Sequence, residues 1–205
     1  MNAKPFVQLS FLPGASGKTA FWQPVKHHLA DLAVGQVIAY PAFDGVAEDP
    51  EVTDFQSLQD YVLRQIPQGS VVIAQSMGGI FAVQAALDHQ KNISALVLVA
   101  TSGGIDLSAF DVQDWRADYQ RDYALPDWFV VTKSQTITQA LSQIRCPVLL
   151  IWGDDDPISP VAVGQYLQQK ITHAKLHVIQ SGQHDLAYVH AAQVSQLIRA
   201  FLEQL

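Results

Sequence analysis

The chain has 205 residues, of which 49% are apolar and only 15% are charged, with 12 basic residues against 19 acidic ones. This length is typical of one domain, and so large an apolar fraction excludes intrinsic disorder and coiled coil. The formal charge of −7 argues against a nucleic-acid binder, which needs a basic surface to neutralise phosphates. We therefore expect one domain over residues 1–205 that binds no nucleic acid.

Metal, disulfide and membrane signals are weak. Cys146 is the only cysteine, so neither an internal disulfide nor a thiolate-rich metal site is expected. The histidines form no H-E-x-x-H or comparable ligand set. The apolar run over residues 6–12 ends at Pro13-Gly14, is too short to span a membrane and has no cleavage-site pattern after it. The sequence thus predicts a cytoplasmic protein with no metal, no cofactor and no membrane association.

Short apolar runs alternate with longer amphipathic stretches along most of the chain. Apolar strands separated by helices are buried on both faces, so the pattern predicts βαβ units with a parallel sheet between helical layers. The predicted strands cover residues 6–11, 37–40, 71–74, 96–100, 148–152 and 176–179. The predicted helices cover residues 19–32, 52–66, 77–89, 160–170 and 185–205.

The alternation breaks once, over residues 101–144, in a long polar interval that contains several aromatic side chains. We call this interval the excursion and predict that it forms a small lid over the ends of the strands, or else a long crossover. Ligand sites in open parallel sheets gather at the carboxyl ends of the strands. The loops that follow the strands are therefore the places to look for chemistry.

The third predicted strand ends in a turn with the features of a nucleophile elbow. Residues 74–79 read AQSMGG and lead into a helix with several alanines. A serine in such a turn has a strained backbone and an exposed hydroxyl, and small neighbours let strand and helix approach closely. Ala74 replaces the first glycine of G-x-S-x-G, which is the mildest substitution. The turn predicts that Ser76 is a nucleophile, with a plain helix N-cap as the alternative.

The loops after the fifth and sixth strands hold the partners that a serine nucleophile needs. Residues 153–160 read GDDDPISP, and His184 follows Gly182-Gln183. A serine hydroxyl needs a base to take its proton, and an imidazole needs a carboxylate to fix its tautomer. Considered separately, the first of these loops is typical of a solvated acidic turn, and the second of a loop with a histidine at the surface. Together with Ser76 they give the chain order serine, acid, histidine, which is typical of one fold.

On these residues the sequence resembles the α/β-hydrolase superfamily over most of its length. The resemblance implies an α/β-hydrolase fold, with a six-stranded sheet that is mostly or wholly parallel and a short lid. The family's G-x-x-D-x-x-x-P-like loop places the acid at Asp156, with Asp154 as the alternative. The implied catalytic triad is Ser76, Asp156 and His184.

The loop after the first strand has two interpretations. Residues 17–19 read GKT and mimic a phosphate-binding P-loop, but Leu12 stands where that motif needs its first glycine, so nucleotide binding is not favoured. In the hydrolase family this loop supplies an oxyanion-hole N–H, and here Pro13-Gly14 replaces the family's His-Gly. The resemblance implies backbone donors at Ala15 and Met77.

The resemblance further implies hydrolysis of a small carboxylic ester or thioester through an acyl-enzyme. C–C hydrolysis, lyase or acyltransferase chemistry on the same fold, or a non-catalytic binding protein, are the alternatives. A hydroxyl, an amide and several aromatic side chains are candidate substrate contacts: Ser16, Trp22, Gln75, Trp115, Trp128 and Phe129.

Overall fold

A computed structural model describes residues 7–129 and 140–205, and its centre is a six-stranded parallel sheet with strand order β2-β1-β3-β4-β5-β6. The predicted parallel α/β architecture is thereby confirmed. The strands are β1 (Val7–Leu12), β2 (Ala33–Val37), β3 (Val71–Gln75), β4 (Ala95–Val99), β5 (Val148–Gly153) and β6 (Ala174–Ile179).

Helices cover both faces of this sheet. The α-helices are α1 (Gln23–His28), α2 (Phe55–Gln65), α3 (Gly78–Leu87), α4 (Arg116–Asp122), α5 (Val161–Lys170), α6 (Leu186–Val189) and α7 (Ala191–Leu202). Two 3₁₀ turns cover Thr19–Trp22 and Leu141–Gln143. No helix in residues 7–129 or 140–205 is long and apolar enough to cross a membrane.

The three central strands β3, β4 and β5 are buried along their whole length, as expected for continuous apolar runs in a parallel sheet. Alternate residues of a strand point to opposite faces. Val72 and Ala74 of β3 therefore join one apolar cluster, with α2, α3 and α5. Val71 and Ile73 join the other, with α1, α6 and α7. The sheet is thus held between two hydrophobic layers, and its central strands give the following loops a rigid base.

The second strand lies earlier than predicted, at Ala33–Val37 instead of residues 37–40. β2 is an edge strand whose residues are mostly partly or fully exposed, so its sequence AVGQV lacks the continuous apolar run of a central strand. The run that suggested a strand instead contains Ile38 and Tyr40, which are buried just after β2 ends. The Ile38 N–H still donates to the Phe11 carbonyl at 3.0 Å.

The predicted helices at both ends of the chain are also interrupted. Residues 19–32 form the first 3₁₀ turn and the short α1, which has Pro24 in its first turn. Residues 185–205 form α6 and α7, separated at His190. Periodicity alone predicts one helix in each case because both pieces present apolar residues to the same layer.

The excursion contains α4 and the second 3₁₀ turn within its described residues. Its residues 130–139, and Phe6 of the predicted first strand, lie outside the described residues. The Gln113 N–H of the excursion donates to the Pro157 carbonyl at 2.8 Å, in the loop after β5. This hydrogen bond fixes the segment before α4 to the carboxyl edge of the sheet.

Candidate active site

Ser76 occupies the turn between β3 and α3 with a φ of 52°, in the left-handed region that non-glycine residues rarely adopt. Its N–H donates to the Val99 carbonyl at 3.1 Å, and its carbonyl accepts a hydrogen bond of 2.5 Å from Thr101 Oγ1. Thr101 Oγ1 in turn accepts from the Gly103 N–H at 2.9 Å. Hydrogen bonds from β4 and from the start of the excursion therefore hold the strained serine.

Two glycines of the elbow allow a close approach that any side chain would prevent. A Cβ on Gly78 would overlap the carbonyl oxygens of Leu12 and Pro13, and one on Gly79 would overlap Thr101. The N-terminus of α3 therefore packs directly on the loop after β1. This explains physically why small residues follow the predicted nucleophile.

Asp156 presents a buried carboxylate, with 4% of the residue exposed, in the loop after β5. Its Oδ1 accepts hydrogen bonds from the N–H groups of Ile158 (2.8 Å) and Ser159 (3.0 Å). Its Oδ2 lies 2.9 Å from Nδ1 of His184. Two backbone donors thus orient the carboxylate so that its second oxygen faces the imidazole.

His184 connects the acid to the serine, because its Nε2 lies 2.9 Å from Ser76 Oγ while its Nδ1 faces Asp156. A proton on Nδ1 donated to the carboxylate leaves Nε2 free to accept from the serine hydroxyl. Gln75 Nε2 also donates to the backbone carbonyl of His184 at 3.1 Å, which attaches the histidine loop to the end of β3.

The acid and histidine loops meet backbone to backbone. A Cβ on Gly153 would overlap the Gly182 carbonyl, which accepts from the Asp155 N–H at 3.0 Å. Asp154 Oδ1 accepts from the Ser181 N–H at 2.6 Å, so this alternative acid supports the histidine loop instead of facing the imidazole. The structure brings Asp156 to His184, and leaves Asp154 at the surface.

The predicted oxyanion donors are both buried: Met77 directly follows Ser76 in the elbow, and Ala15 lies in the loop after β1. Neither N–H donates to another backbone or side-chain group in the described part of the chain. Gly14, beside Ala15, lies against Ser76, because a Cβ on Gly14 would come 3.2 Å from the Ser76 Cβ. Two backbone N–H groups near the serine are what an oxyanion hole requires.

Two aromatic side chains hold this loop in the absence of the family's histidine. Trp22 Nε1 donates to the Leu12 carbonyl at 3.0 Å, and the Tyr40 hydroxyl donates to the Pro13 carbonyl at 2.8 Å. Both side chains are fully buried, and burial raises the pKa of Tyr40 well above its usual value, so the phenol keeps its proton. Sequence reasoning missed Tyr40, which lies far along the chain and was predicted within a strand.

Two cavities open at the triad and share His184 and Ile158. The first, of about 230 Å³, reaches from Ser76 and Met77 under the excursion, and much of its wall is apolar: Ile80, Ile105, Leu107, Phe110, Val112 and Trp115. The second, of about 210 Å³, lies beside Gly14 and is lined largely by polar groups: Ser16, Lys18, Gln75, Tyr119, Tyr123, Gln183 and Asp185. Charged side chains also line the first cavity, at Asp106, Asp114 and Arg116, and Phe21 lines the second, so each cavity has both polar and apolar walls.

A family model described as "alpha/beta hydrolase fold" matches residues 12–132 and 106–191, which together span most of the chain. The chain belongs to the α/β-hydrolase family.

Relatives of this α/β-hydrolase are named as esterases and hydrolases. This chain is 23% identical over 232 residues to the pimeloyl-[acyl-carrier protein] methyl ester esterase of Neisseria meningitidis serogroup B (strain H44/76). The match covers 89% of this chain and 90% of the relative. This chain is 26% identical over 100 residues to a mouse serine hydrolase, covering 49% of this chain and 32% of the relative.

Solved structures share the fold. One described as "Est816 as an N-Acyl homoserine lactone degrading enzyme" superposes with a TM-score of 0.79 at 20% identity, covering 95% of this chain and 93% of the other. A lipase-esterase related protein from Clostridium acetobutylicum ATCC 824 superposes with a TM-score of 0.78 at 16% identity, with the same coverage. The predicted α/β-hydrolase fold is confirmed.

The structure separates the six predicted substrate contacts of this α/β-hydrolase. Trp115 lines the first cavity, whereas Ser16 and Gln75 line the second. The prediction for Trp22 is wrong, because its side chain is fully buried and packs on Phe11, with ring centroids 5.4 Å apart.

Trp128 and Phe129, also predicted as substrate contacts, line neither cavity. Both rings pack edge-on against Phe43, at centroid distances of 6.0 and 5.1 Å. These contacts attach the end of the first described part of the excursion to the core, and the substrate-contact role of both residues stays a prediction.

Two cavity residues missed by the sequence reasoning are Tyr119 and Tyr123. With Trp115 they repeat every four residues over α4 and its two caps, and neighbouring rings contact each other edge-on or tilted at centroid distances of 4.7 and 4.8 Å. That spacing is a signal for one face of a helix, and it could have identified the aromatic face of α4 above the site.

Two oppositely charged side chains and a tyrosine with a raised pKa lie at the second cavity. Lys18 Nζ lies 4.8 Å from the centroid of the Tyr123 ring, and Asp185 lies at the same cavity. Burial, with smaller effects from Tyr123, Asp156 and Asp185, raises the pKa of Tyr119 to about 12. No group of three metal-ligating side chains occurs among the described residues.

Proposed function

We propose that this chain is a serine hydrolase that cleaves a small carboxylic ester or thioester through a Ser76–His184–Asp156 triad. The observation that carries the proposal is the continuous pair of 2.9 Å contacts from Asp156 through His184 to Ser76. A serine nucleophile needs both a base within hydrogen-bonding distance and a group that orients the base. Ser76 lies at a strained elbow, and His184 lines both cavities beside it.

The family and the named relatives assign the chain to the ester-cleaving hydrolases. The relatives from Neisseria act on a methyl ester carried by an acyl-carrier protein. We carry over only the reaction type, ester hydrolysis, because substrate preference within this fold depends on the cavity walls.

In the proposed first step, Ser76 Oγ attacks the carbonyl carbon of the substrate while Nε2 of His184 takes the hydroxyl proton. The carbonyl oxygen becomes an oxyanion, which the N–H groups of Ala15 and Met77 stabilise. Such donors typically contribute ~10²–10³ each in rate. The C–O or C–S bond to the leaving group then breaks, and His184 gives its proton to the departing oxygen or sulfur.

In the proposed second step, water attacks the acyl-enzyme carbonyl and gives a proton to Nε2 of His184. Collapse of the second tetrahedral intermediate releases the carboxylic acid and returns the proton to Ser76 Oγ. Asp156 stabilises the imidazolium in both steps without taking the proton itself. No cofactor takes part in this scheme.

Intact-protein mass after brief exposure to a fluorophosphonate tests the proposal. An activated serine displaces fluoride and forms an oxygen–phosphorus bond, so we expect one stoichiometric adduct on the parent. Ser76→Ala should give no adduct and should lower ester hydrolysis by about 10⁴-fold or more.

Ser94→Ala is the matched control, because Ser94 is exposed at the opposite end of the sheet and its hydroxyl donates to the Gly69 carbonyl at 2.7 Å, far from the site. It should label like the parent. An unlabelled parent, or equal labelling of Ser76→Ala, would contradict the assignment of the nucleophile.

A further inference from the structure

The two cavities at the triad differ in which reactive groups they contain. Ser76 and Met77 line the first cavity, whereas the second contains neither of them and begins at Gly14, Gln75 and His184. His184 belongs to both. An ester has an acyl group on one side of the scissile bond and an alcohol leaving group on the other. Each of these two groups needs space beside the triad.

The first cavity suits the acyl side. The carbonyl carbon must lie within reach of Ser76 Oγ, and its oxygen must face the N–H of Met77, so the carbonyl belongs at the mouth of this cavity. Beyond it, Ile80, Ile105 and Phe110 offer an apolar surface to an acyl chain. The charged side chains Asp106, Asp114 and Arg116 line the same cavity.

The second cavity suits the leaving group. The departing oxygen takes its proton from Nε2 of His184, so it must lie on the imidazole's exposed side. With the acyl chain in the first cavity, the leaving group extends past His184 toward Ser16 and Tyr119.

Besides the apolar Phe21 and Ile158, the second cavity is lined by neutral hydrogen-bonding groups and one pair of opposite charges. The neutral groups include the hydroxyls of Ser16, Tyr119 and Tyr123. Lys18 and Asp185 have opposite charges, and the Lys18 ammonium faces the Tyr123 ring. Such a lining offers no net attraction to an anion or a cation, but offers several partners to hydroxyl groups.

Tyr119 is one of the hydroxyl-bearing residues of this wall. Its ring packs between those of Trp115 and Tyr123, which flank α4, with centroids 4.7 and 4.8 Å away. Because burial raises the pKa of its phenol to about 12, the hydroxyl keeps its proton at any ordinary working pH. A fixed and permanently protonated phenol can donate a hydrogen bond to an oxygen of the leaving group.

We propose that the second cavity is the leaving-group site and that it selects a neutral, hydroxylated alcohol, with Tyr119 as a specificity-determining hydrogen-bond donor. The inference rests on the proposed serine hydrolase function and names the substrate class for it. It applies to the acylation step, because the leaving group has departed before the acyl-enzyme is hydrolysed.

Two butanoate esters with leaving groups of the same shape test the proposal: the glycerol 1-ester and the 2-methylbutyl ester, which replaces both free hydroxyls by carbon. We expect kcat/KM of the parent to be about five- to tenfold higher for the glycerol ester. Choline and glycolate butanoates, with a cation and an anion in the leaving group, should both be poorer substrates than the glycerol ester.

Tyr119→Phe removes only the hydroxyl and should reduce the glycerol-to-alkyl ratio toward unity. Tyr61→Phe is the matched control, since Tyr61 lies on α2 and lines neither cavity. It should keep the parent ratio.

Added glycerol gives a second measure of the cavity's preference, because the partition of the acyl-enzyme between glycerol and water does not depend on how the ester substrate was bound. It should attack the acyl-enzyme from the same cavity, forming a new ester and returning the proton to Ser76, in competition with water. Tyr119→Phe should lower this partition ratio, measured as glycerol ester formed per butanoic acid released.

Equal kcat/KM values for the two esters in the parent, or an unchanged ratio in Tyr119→Phe, would overturn the leaving-group assignment while the hydrolase function stands. A higher rate with either charged ester would overturn the neutral class. Absence of both fluorophosphonate labelling and ester turnover would instead overturn the underlying function.

Discussion

The triad and the excursion meet at the same cavities but are built in opposite ways. Ser76 and Asp156 follow fully buried central strands, and backbone hydrogen bonds fix both residues. The excursion places Tyr119 on α4, a seven-residue helix with no fully buried residue. The comparison teaches that the sheet positions the reacting atoms, whereas a lightly packed segment forms much of the surrounding wall.

The energetics of the two regions follow from this difference. A helix of seven residues is unstable alone, so α4 depends on contacts with its surroundings. Its described contacts include the edge-on and tilted ring contacts of Trp115, Tyr119 and Tyr123, the Lys18 ammonium over the Tyr123 ring, and the nearby Gln113–Pro157 hydrogen bond. Substitutions in the wall should therefore alter selectivity more than chemistry.

The largest effect that would test this comparison is expected at the acid. Asp156→Asn should lower kcat by about 10³–10⁴-fold, because an amide cannot stabilise the imidazolium and favours the wrong tautomer of His184. Asp154→Asn keeps an acceptor for the Ser181 N–H and should change kcat by only about twofold. Steady-state kinetics on one ester compares the two variants, and the opposite ranking would place the acid at Asp154.

An intermediate effect is expected at Thr101, where the excursion leaves the sheet. Thr101→Val keeps the shape but removes the donor to the Ser76 carbonyl and the acceptor for Gly103. We expect the free energy of unfolding to fall by about 1–3 kcal/mol and kcat to fall by about tenfold, with a smaller change in KM.

Thr101→Ser retains the hydroxyl and should recover most of both losses, as measured by denaturant unfolding and by the rate of fluorophosphonate labelling. If both variants lose stability but label at the parent rate, Thr101 stabilises the fold without positioning the nucleophile.

The smallest effect is expected in the wall itself. Trp115→Leu removes ring contacts with Tyr119 and enlarges the first cavity, so KM for a butanoate ester should rise about three- to tenfold, and kcat should change less. Kinetics on acetate, butanoate and hexanoate esters would show a shift toward the longer acyl chain. A loss confined to kcat would mean that the excursion positions the reacting atoms after all.

Much of the scaffold and the triad geometry could be predicted because local and global signals agree there. Residues 71–79 form a continuous apolar strand followed by small residues, and a buried strand before a tight turn leaves one place for the serine. The choice between Asp154 and Asp156 depended on loop spacing, and the hydrogen bonds from Ile158 and Ser159 give that spacing its physical basis.

The walls of the cavities were predicted less well. The local sequence around an aromatic residue in a loop does not indicate whether its ring packs on the core or lines a cavity. Trp128 and Phe129 pack on Phe43, which lies more than eighty residues earlier in the chain. Tyr119 and Trp115 turn toward the cavities only because α4 presents that face. Such long-range packing is decided by tertiary contacts that sequence periodicity does not contain.

The hydrogen bond between the Gln113 N–H and the Pro157 carbonyl has a consequence for laboratory evolution of this enzyme. Pro157 directly follows Asp156, so the segment that shapes the wall is attached to the loop that carries this proposed catalytic acid. Substitutions near residue 113 and substitutions in residues 154–159 should therefore show epistasis, since each displaces a shared anchor. Libraries that vary both segments together should reach new selectivities that stepwise changes in either one would miss.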